Sequence, residues 1–330
     1  MLSVDFHLER LCNLIGSAGC TENEPPIPQK GIYFSDCLQQ RSLEAASYFP
    51  TSLEEMTQIE YLRMHRHRLV EYSYLIDQCE IDSKNIPSLV YKIQEDIERL
   101  SDIWGRSMFC FPGGTVHHAI CYEFVQEADG TYSFLIYNRG EGCNDPDLHG
   151  NVFLVRNGNR IARTRVQIRG LAKEDLQNEV LLEALIVFQN DVHAKMEDVY
   201  RKIKECLLDK ALGLVREAPG EREWLVLTRM LSLEINRCDL CRLQEVEKEL
   251  LLDPDFHQLQ VSGSCTESNT QTPESFFIEP NFRRRLKLRA IQSTYNLIQE
   301  YVPQALATKV ALKIESLLDK ITFWKWMTYS

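Results

Sequence analysis

Apolar residues along this chain change period twice, and those changes set its organisation. From Ser52, with Glu55 three residues on, the stretch LEEMTQIEYLRMHRHRLVEYSYLIDQC places Leu53, Met56, Ile59 and Leu62 at helical intervals behind a capping-box signature. A long helix is predicted there. Ser83 to Leu100 repeats the pattern, with Ile86, Leu89, Ile93 and Ile97 on one side. At Ser107 the period switches to two. The segments SMFCF, a Pro112-Gly113-Gly114 turn, HAICYEFV, an Asp129-Gly130 hairpin, TYSFLIYN, NVFLVR and RTRVQIRG read as a β-meander running to about Arg169. Helical spacing returns from Lys173 to Leu252, interrupted near Ala218-Pro219-Gly220. Residues 254–281 read as irregular and polar, and two more helices are expected at about 283–302 and 305–325, separated by Pro303. Near the start, the Pro-rich CTENEPPIPQKG of 20–31 marks a loop after a short first helix.

Composition narrows the class. With 330 residues, 44% of them apolar and 26% charged, the chain has enough apolar surface for one elaborated domain or two small ones. A formal charge of −11 repels polyanions, so non-specific binding to nucleic acid or to an anionic membrane surface is not expected. The local exception, Arg283-Arg284-Arg285-Leu286-Lys287-Leu288-Arg289, reads most simply as a solvated helix face, with an acidic-partner or phosphoinositide site as the alternative. The opening MLSVDFHLERLCNLIG is broken by Asp5, His7, Glu9 and Arg10, so neither a secretory signal core nor a transmembrane span is read there. A cytoplasmic location is expected. Eleven cysteines at irregular spacing, an odd number in a long chain, favour free thiols over a disulfide framework.

Candidate chemistry centres on the two strands around Asp129-Gly130. By the period of two, His118, Ile120, Tyr122 and Phe124 share a face of one strand, and Tyr132, Phe134, Ile136 and Asn138 share a face of the next. A hairpin turn between them brings His118 and Asn138 to the same end. There a side-chain amide accepts from one ring nitrogen and leaves the other to face a thiol, as a thiol hydrolase requires. The plain alternative is a core or surface histidine near a loop asparagine. His117 points to the opposite strand face and is the lesser candidate.

His118-Ala119, followed by an apolar strand, a turn and Gly130-Thr-Tyr132-Ser-Phe134-Leu-Ile-Tyr-Asn138-Arg-Gly140, resembles the His and Asn strands of papain-like cysteine proteases over about thirty residues. Downstream, Gln260-Val-Ser-Gly263-Ser-Cys265 resembles the oxyanion Gln and nucleophile segment of thiol proteases. The order His, Asn, Gln, Cys resembles the permuted relatives: the adenovirus-type and ubiquitin-like-protein proteases and the YopJ-type effector acetyltransferases. This chain has Cys265-Thr266 where the family has Cys-Gly, and Gln260 lies five residues before the cysteine rather than about six. The resemblance implies that Cys265 is the nucleophile, His118 the general base, Asn138 its orienting partner and Gln260 an oxyanion donor. It also implies that 173–252 is a helical insertion in a papain-like fold. The plain alternative for Cys265 is an ordinary thiol in a loop.

Cys37 is the principal rival, in the first turn of an expected helix where the dipole lowers a thiol pKa, with Gln29 upstream in the unpermuted order. Cys110 reads as core. Cys238-Asp-Leu-Cys241 is a lone CxxC, half of what a structural zinc site needs, so no metal or other cofactor is expected. His65 and His67 read as residues of a solvated helix face. His149, after Asn144-Asp145-Pro146-Asp147, is read as marking an acidic loop that could bring a carboxylate to the site. Aromatic residues in 322–328 read as core or as a partner surface.

The expectation is therefore an α+β protein: an N-terminal helical region (1–106), an antiparallel sheet carrying His118 and Asn138 (107–172), a helical insertion (173–252), and a Cys-bearing loop with C-terminal helices (253–330). The resemblance implies a cysteine hydrolase cleaving a peptide or isopeptide bond in a protein substrate, with ubiquitin or ubiquitin-like conjugates as the implied class. Acyl transfer on the same fold and a non-catalytic helical interaction module are the alternatives. An effector delivered into a host cell is the alternative to an ordinary cytoplasmic protein.

Overall fold

Helices and antiparallel strands combine in an α+β architecture in the computed structural model. It describes residues 52–103, 106–154, 160–211, 237–253 and 255–259, together with positions 213, 222, 225, 273, 277–279, 281–283 and 286. The described residues fall into two compact units, one holding 52–63 with the positions from 277 onward, the other 64–273. In the first, the Tyr61 and Phe277 rings meet at 4.5 Å, and Gln58 Oε1 accepts from the Glu279 N–H at 3.0 Å.

Helix α1 (Leu53–Ile81) begins as its sequence predicts, with Ser52 Oγ accepting from the Glu55 N–H at 3.1 Å. Of its expected stripe, Ile59 and Leu62 are buried but Leu53 and Met56 are not, and the burial continues toward the C-terminal end. Leu53 and Met56 are 79% and 52% exposed, whereas Leu62, His65, Leu69, Tyr72, Ile76 and Cys79, spaced alternately by three and four, are buried. Asp82 caps the 3₁₀ turn Ser83–Asn85, and α2 (Ile86–Glu98) follows, burying Leu89, Val90, Ile93 and Ile97.

The strands are β1 (Ser101–Ile103), β2 (Arg106–Thr115), β3 (His118–Gln126), β4 (Tyr132–Tyr137), β5 (Val152–Leu154), β6 (Arg160–Arg163), β7 (Arg165–Leu171) and β8 (Phe256–Gln258). A five-stranded antiparallel sheet has the order β1-β2-β3-β4-β7, and β5-β6-β8 form a second sheet. Three expectations are corrected here. The chain does not turn at Pro112-Gly113-Gly114: β2 runs through it, and Thr115 pairs with His118 across a two-residue turn, Val116-His117. Proline is tolerated because β1 reaches only Met108, leaving no ladder bond for Pro112 to break on that side.

The single meander is instead two sheets. The chain passes from one to the other at Thr164, whose N–H donates to the Asp255 carbonyl at 2.7 Å and whose carbonyl accepts from the Asn138 N–H at 2.8 Å. Third, 256–258 within the expected irregular stretch is a strand, because Ile161, Ala162 and Arg163 of β6 offer it an edge to pair with.

Helices α3 (Lys173–Leu176), α4 (Glu179–Asn190), α5 (Met196–Leu207) and α6 (Arg237–Leu252) lie in the described parts of the stretch expected to be helical. Asn178 caps α4, its side chain accepting from the Leu181 N–H at 3.1 Å. The main core lies between one sheet face, with Phe109, Phe111, Ile120, Tyr122, Phe124, Phe134 and Ile136, and the apolar sides of α1, α2, α4 and α5. A smaller core joins Phe153, Ile161 and Phe256 to Leu243, Val246 and Leu250 of α6. No described helix is long and apolar enough to cross a membrane.

Candidate functional site

Local sequence places His118 at the entry to β3. Gly114 makes the preceding turn close: its φ is +110°, and a Cβ there would lie 1.9 Å from the His118 carbonyl oxygen. The alternation then decides between the paired histidines. His118 turns inward and is 3% exposed, whereas His117 is exposed, its Nε2 donating to the Val192 carbonyl at 3.4 Å.

The β3–β4 register, Cys121 opposite Tyr137 and Gln126 opposite Tyr132, returns the chain to the same end, where Asn138 follows β4. His118 Nε2 lies 2.8 Å from Asn138 Oδ1. Asn138 is fully buried, and its polar groups are engaged on all sides. Oδ1 also accepts from the Gly140 N–H at 2.9 Å, and Nδ2 donates to the Glu141 carbonyl at 2.5 Å and to the Tyr200 hydroxyl oxygen at 2.6 Å. On the main chain, its N–H donates to Thr164 and its carbonyl accepts from Cys143 Sγ at 3.0 Å. That density of bonds fixes the amide in place.

Tyr200, on the buried stripe of α5 with Met196, Val199, Ile203 and Leu207, extends the arrangement. Its hydroxyl lies 2.7 Å from His149 Nε2, and His149 Nδ1 lies 2.6 Å from the Arg163 carbonyl. The loop before His149 approaches Tyr200 closely at Gly142, φ +85°, where a Cβ would come 2.8 Å from the ring. Burial depresses the His149 pKa to about 4, so the ring is neutral at pH 7. His149 thus joins the site with its own imidazole. Asp145 of the expected acidic loop turns its carboxylate to Lys204 and to the Asp147 and Leu148 N–H groups.

The described cysteines divide by face. Cys143 is buried against Asn138, and burial pushes its thiol up to about 12. Cys110 is a core residue, as expected, and pairs with Glu123 on the face of the sheet opposite to His118. There it meets His65, whose Nδ1 lies 2.9 Å from the sulfur. His65 is 3% exposed, so its assignment to a solvated face is corrected; only His67 has that position, because residues two apart on a helix point about 200° apart. Burial raises the Cys110 thiol well above its ordinary value, with Cys121 adding to the shift, so the sulfur is held as the thiol. Nearby, the Tyr137 hydroxyl donates to Glu123 Oε2 at 2.6 Å.

Cys265, Gln260, Cys37 and Gln29 lie outside the described residues, as do the stretch 322–328 and all of the basic run but Arg283 and Leu286. Cys241 of the CxxC is exposed on α6, and among the described residues no group of three or more His, Cys, Asp or Glu is placed to hold a metal ion. Tyr200 was not anticipated. Its signal was a hydroxyl-bearing residue within an otherwise apolar helical stripe, since a buried tyrosine oxygen needs a partner. No protein-family model matches the chain, and no curated protein matches it in sequence.

Proposed function

We propose that the protein is a cysteine hydrolase of a papain-like, permuted kind, acting on a peptide or isopeptide bond in a protein substrate. The observation that carries this reading is the buried His118 Nε2 to Asn138 Oδ1 contact of 2.8 Å at matching ends of adjacent strands. An imidazole held in that way keeps one nitrogen engaged and presents its other as the base. Cys265 supplies the nucleophile, reacting as the thiolate after His118 Nδ1 takes its proton. The sulfur attacks the carbonyl, and the imidazolium returns the proton to the departing amine. Water, deprotonated by the same ring, then releases the acid and restores the thiol. Gln260 and the Cys265 N–H donate to the oxyanion, worth about 2.7–4 kcal/mol per donor.

By resemblance, ubiquitin or ubiquitin-like conjugates are the substrate class, and the setting is cytoplasmic, in the producing cell or, for an effector, in a host. Resolution of the acyl-enzyme by an amine would make the same site an acyltransferase. The saturation of the Asn138 bonds favours one further reading, a structural polar cluster in a non-catalytic interaction protein.

Labelling with an electrophilic ubiquitin probe and with a small thiol alkylator separates a catalytic from a structural role and identifies the nucleophile. Wild type and Cys37→Ala take up the probe, and Cys265→Ala and His118→Ala lose it. Equal labelling of wild type and Cys265→Ala overturns the nucleophile; loss only in Cys37→Ala moves it upstream.

A further inference from the structure

We propose that Tyr200 and His149 are positioning residues for His118: they complete a one-way chain of hydrogen bonds that holds its imidazole in the Nε2–H tautomer. The role rests on the reading of His118 as the base, but the tautomer it asserts is measurable without turnover.

The direction of the chain follows from backbone groups that can only donate or only accept. At one end the Gly140 N–H is a donor, so the Asn138 side-chain atom it meets at 2.9 Å is the amide oxygen. The Glu141 carbonyl is an acceptor, so the atom facing it is the amide nitrogen. With the amide thus oriented, His118 Nε2 can bond Oδ1 only by donating, which in the neutral ring leaves the lone pair on Nδ1. At the other end the Arg163 carbonyl accepts, so His149 carries its proton on Nδ1. In the neutral ring Nε2 is then an acceptor, the Tyr200 hydroxyl donates to it, and the Tyr200 oxygen accepts from Asn138 Nδ2.

Reversing any one link sets donor against donor or acceptor against acceptor. Every side chain in the chain is buried: His118 and His149 are 3% and 1% exposed, Tyr200 1% and Asn138 0%. Water therefore has little room to substitute for a lost partner, and mispairing carries its full cost. Tyr200 does two things at once: it accepts the second amide hydrogen of Asn138, reinforcing the orientation that the Gly140 N–H and the Glu141 carbonyl give the amide, and it joins that end to the direction set at Arg163.

The test uses the full chain labelled with ¹⁵N-histidine, its eight histidines assigned by difference with His118→Gln and His149→Gln. At pH 7 the wild type is expected to show His118 Nε2 protonated and Nδ1 unprotonated. In Tyr200→Phe the two ring nitrogens shift toward averaged values as both tautomers become populated. His149→Gln keeps an acceptor for the Tyr200 hydroxyl and a donor for the Arg163 carbonyl, so it preserves the single tautomer; His149→Leu does not. That glutamine-versus-leucine contrast carries the test if Tyr200→Phe fails to fold.

An Nδ1–H tautomer in the wild type, or His118 signals unchanged in folded Tyr200→Phe and His149→Leu, overturns the proposal. Probe labelling of Tyr200→Phe is expected to slow by roughly tenfold. A fixed tautomer with no probe labelling in any variant sinks the hydrolase and leaves the chain standing; intact Cys265-dependent labelling with an insensitive tautomer does the reverse.

Discussion

Gly114 shows how one residue shapes the turn that leads into His118. Its positive φ alone is a modest demand; the 1.9 Å approach of a built Cβ to the His118 carbonyl is a severe one. Gly130 provides the comparison, since it has φ +84° but nothing within 4 Å of its Cβ position. Gly114→Ala is therefore expected to destabilise the fold by roughly 2–4 kcal/mol, against about 1 kcal/mol for Gly130→Ala. Urea midpoints measure both, and equal effects would mean that backbone conformation alone matters at Gly114. His65 makes a related point: a polar residue in an apolar stripe is paired, here with Cys110, because an unpaired imidazole would be costly to bury.

At the scale of elements, helix faces explain more than helix propensity. On α2 the residues Leu89, Val90, Ile93 and Ile97 enter the main core, whereas Tyr91 is 62% exposed. Ile93→Ala is expected to cost about 2–5 kcal/mol through lost apolar contact and the cavity left behind, and Tyr91→Ala to change stability by less than about 0.5 kcal/mol. Equal urea midpoints for the two variants would contradict the packing described. Helix α5 has a second task, because its buried stripe delivers the Tyr200 hydroxyl to the ends of β3 and β4. The sheet contributes register: one residue of slip in β3 would send His118 out and His117 in.

For the molecule as a whole, His149 links the site to acid stability. Its pKa is about 4 in the folded protein against an ordinary 6.5, with burial as the main cause. The charged and titratable groups facing it are the Asp145 carboxylate, which favours its protonation, Arg163, which opposes it, and the Tyr200 hydroxyl. Asp145 is itself bound to Lys204. Above about pH 6.5 the ring is neutral folded or unfolded and the stability is complete. As pH falls from there toward 4 the unfolded chain binds the proton first, so stability is lost, by up to about 3 kcal/mol. Urea midpoints between pH 7 and 4 are expected to fall more steeply in wild type than in His149→Gln. Parallel slopes would remove His149 from the acid response.

Much of this organisation is written locally. The Ser52 cap, the α2 stripe, the alternation that puts His118 and Asn138 on inner faces, and the turn at Asp129-Gly130 are set by period and by neighbouring residues, so they are legible along the chain. The continuation of β2 through Pro112 and Gly113, the exchange of sheets at Thr164 and the strand 256–258 are not, because each depends on an edge offered by residues far away in sequence. The site divides in the same way. Strand alternation and the Asp129-Gly130 turn suffice to bring an imidazole and an amide to one end of a hairpin. Only the tertiary structure brought Tyr200 and His149 against them, because a hydrogen-bond partner across 62 residues is selected by packing and leaves no periodic trace.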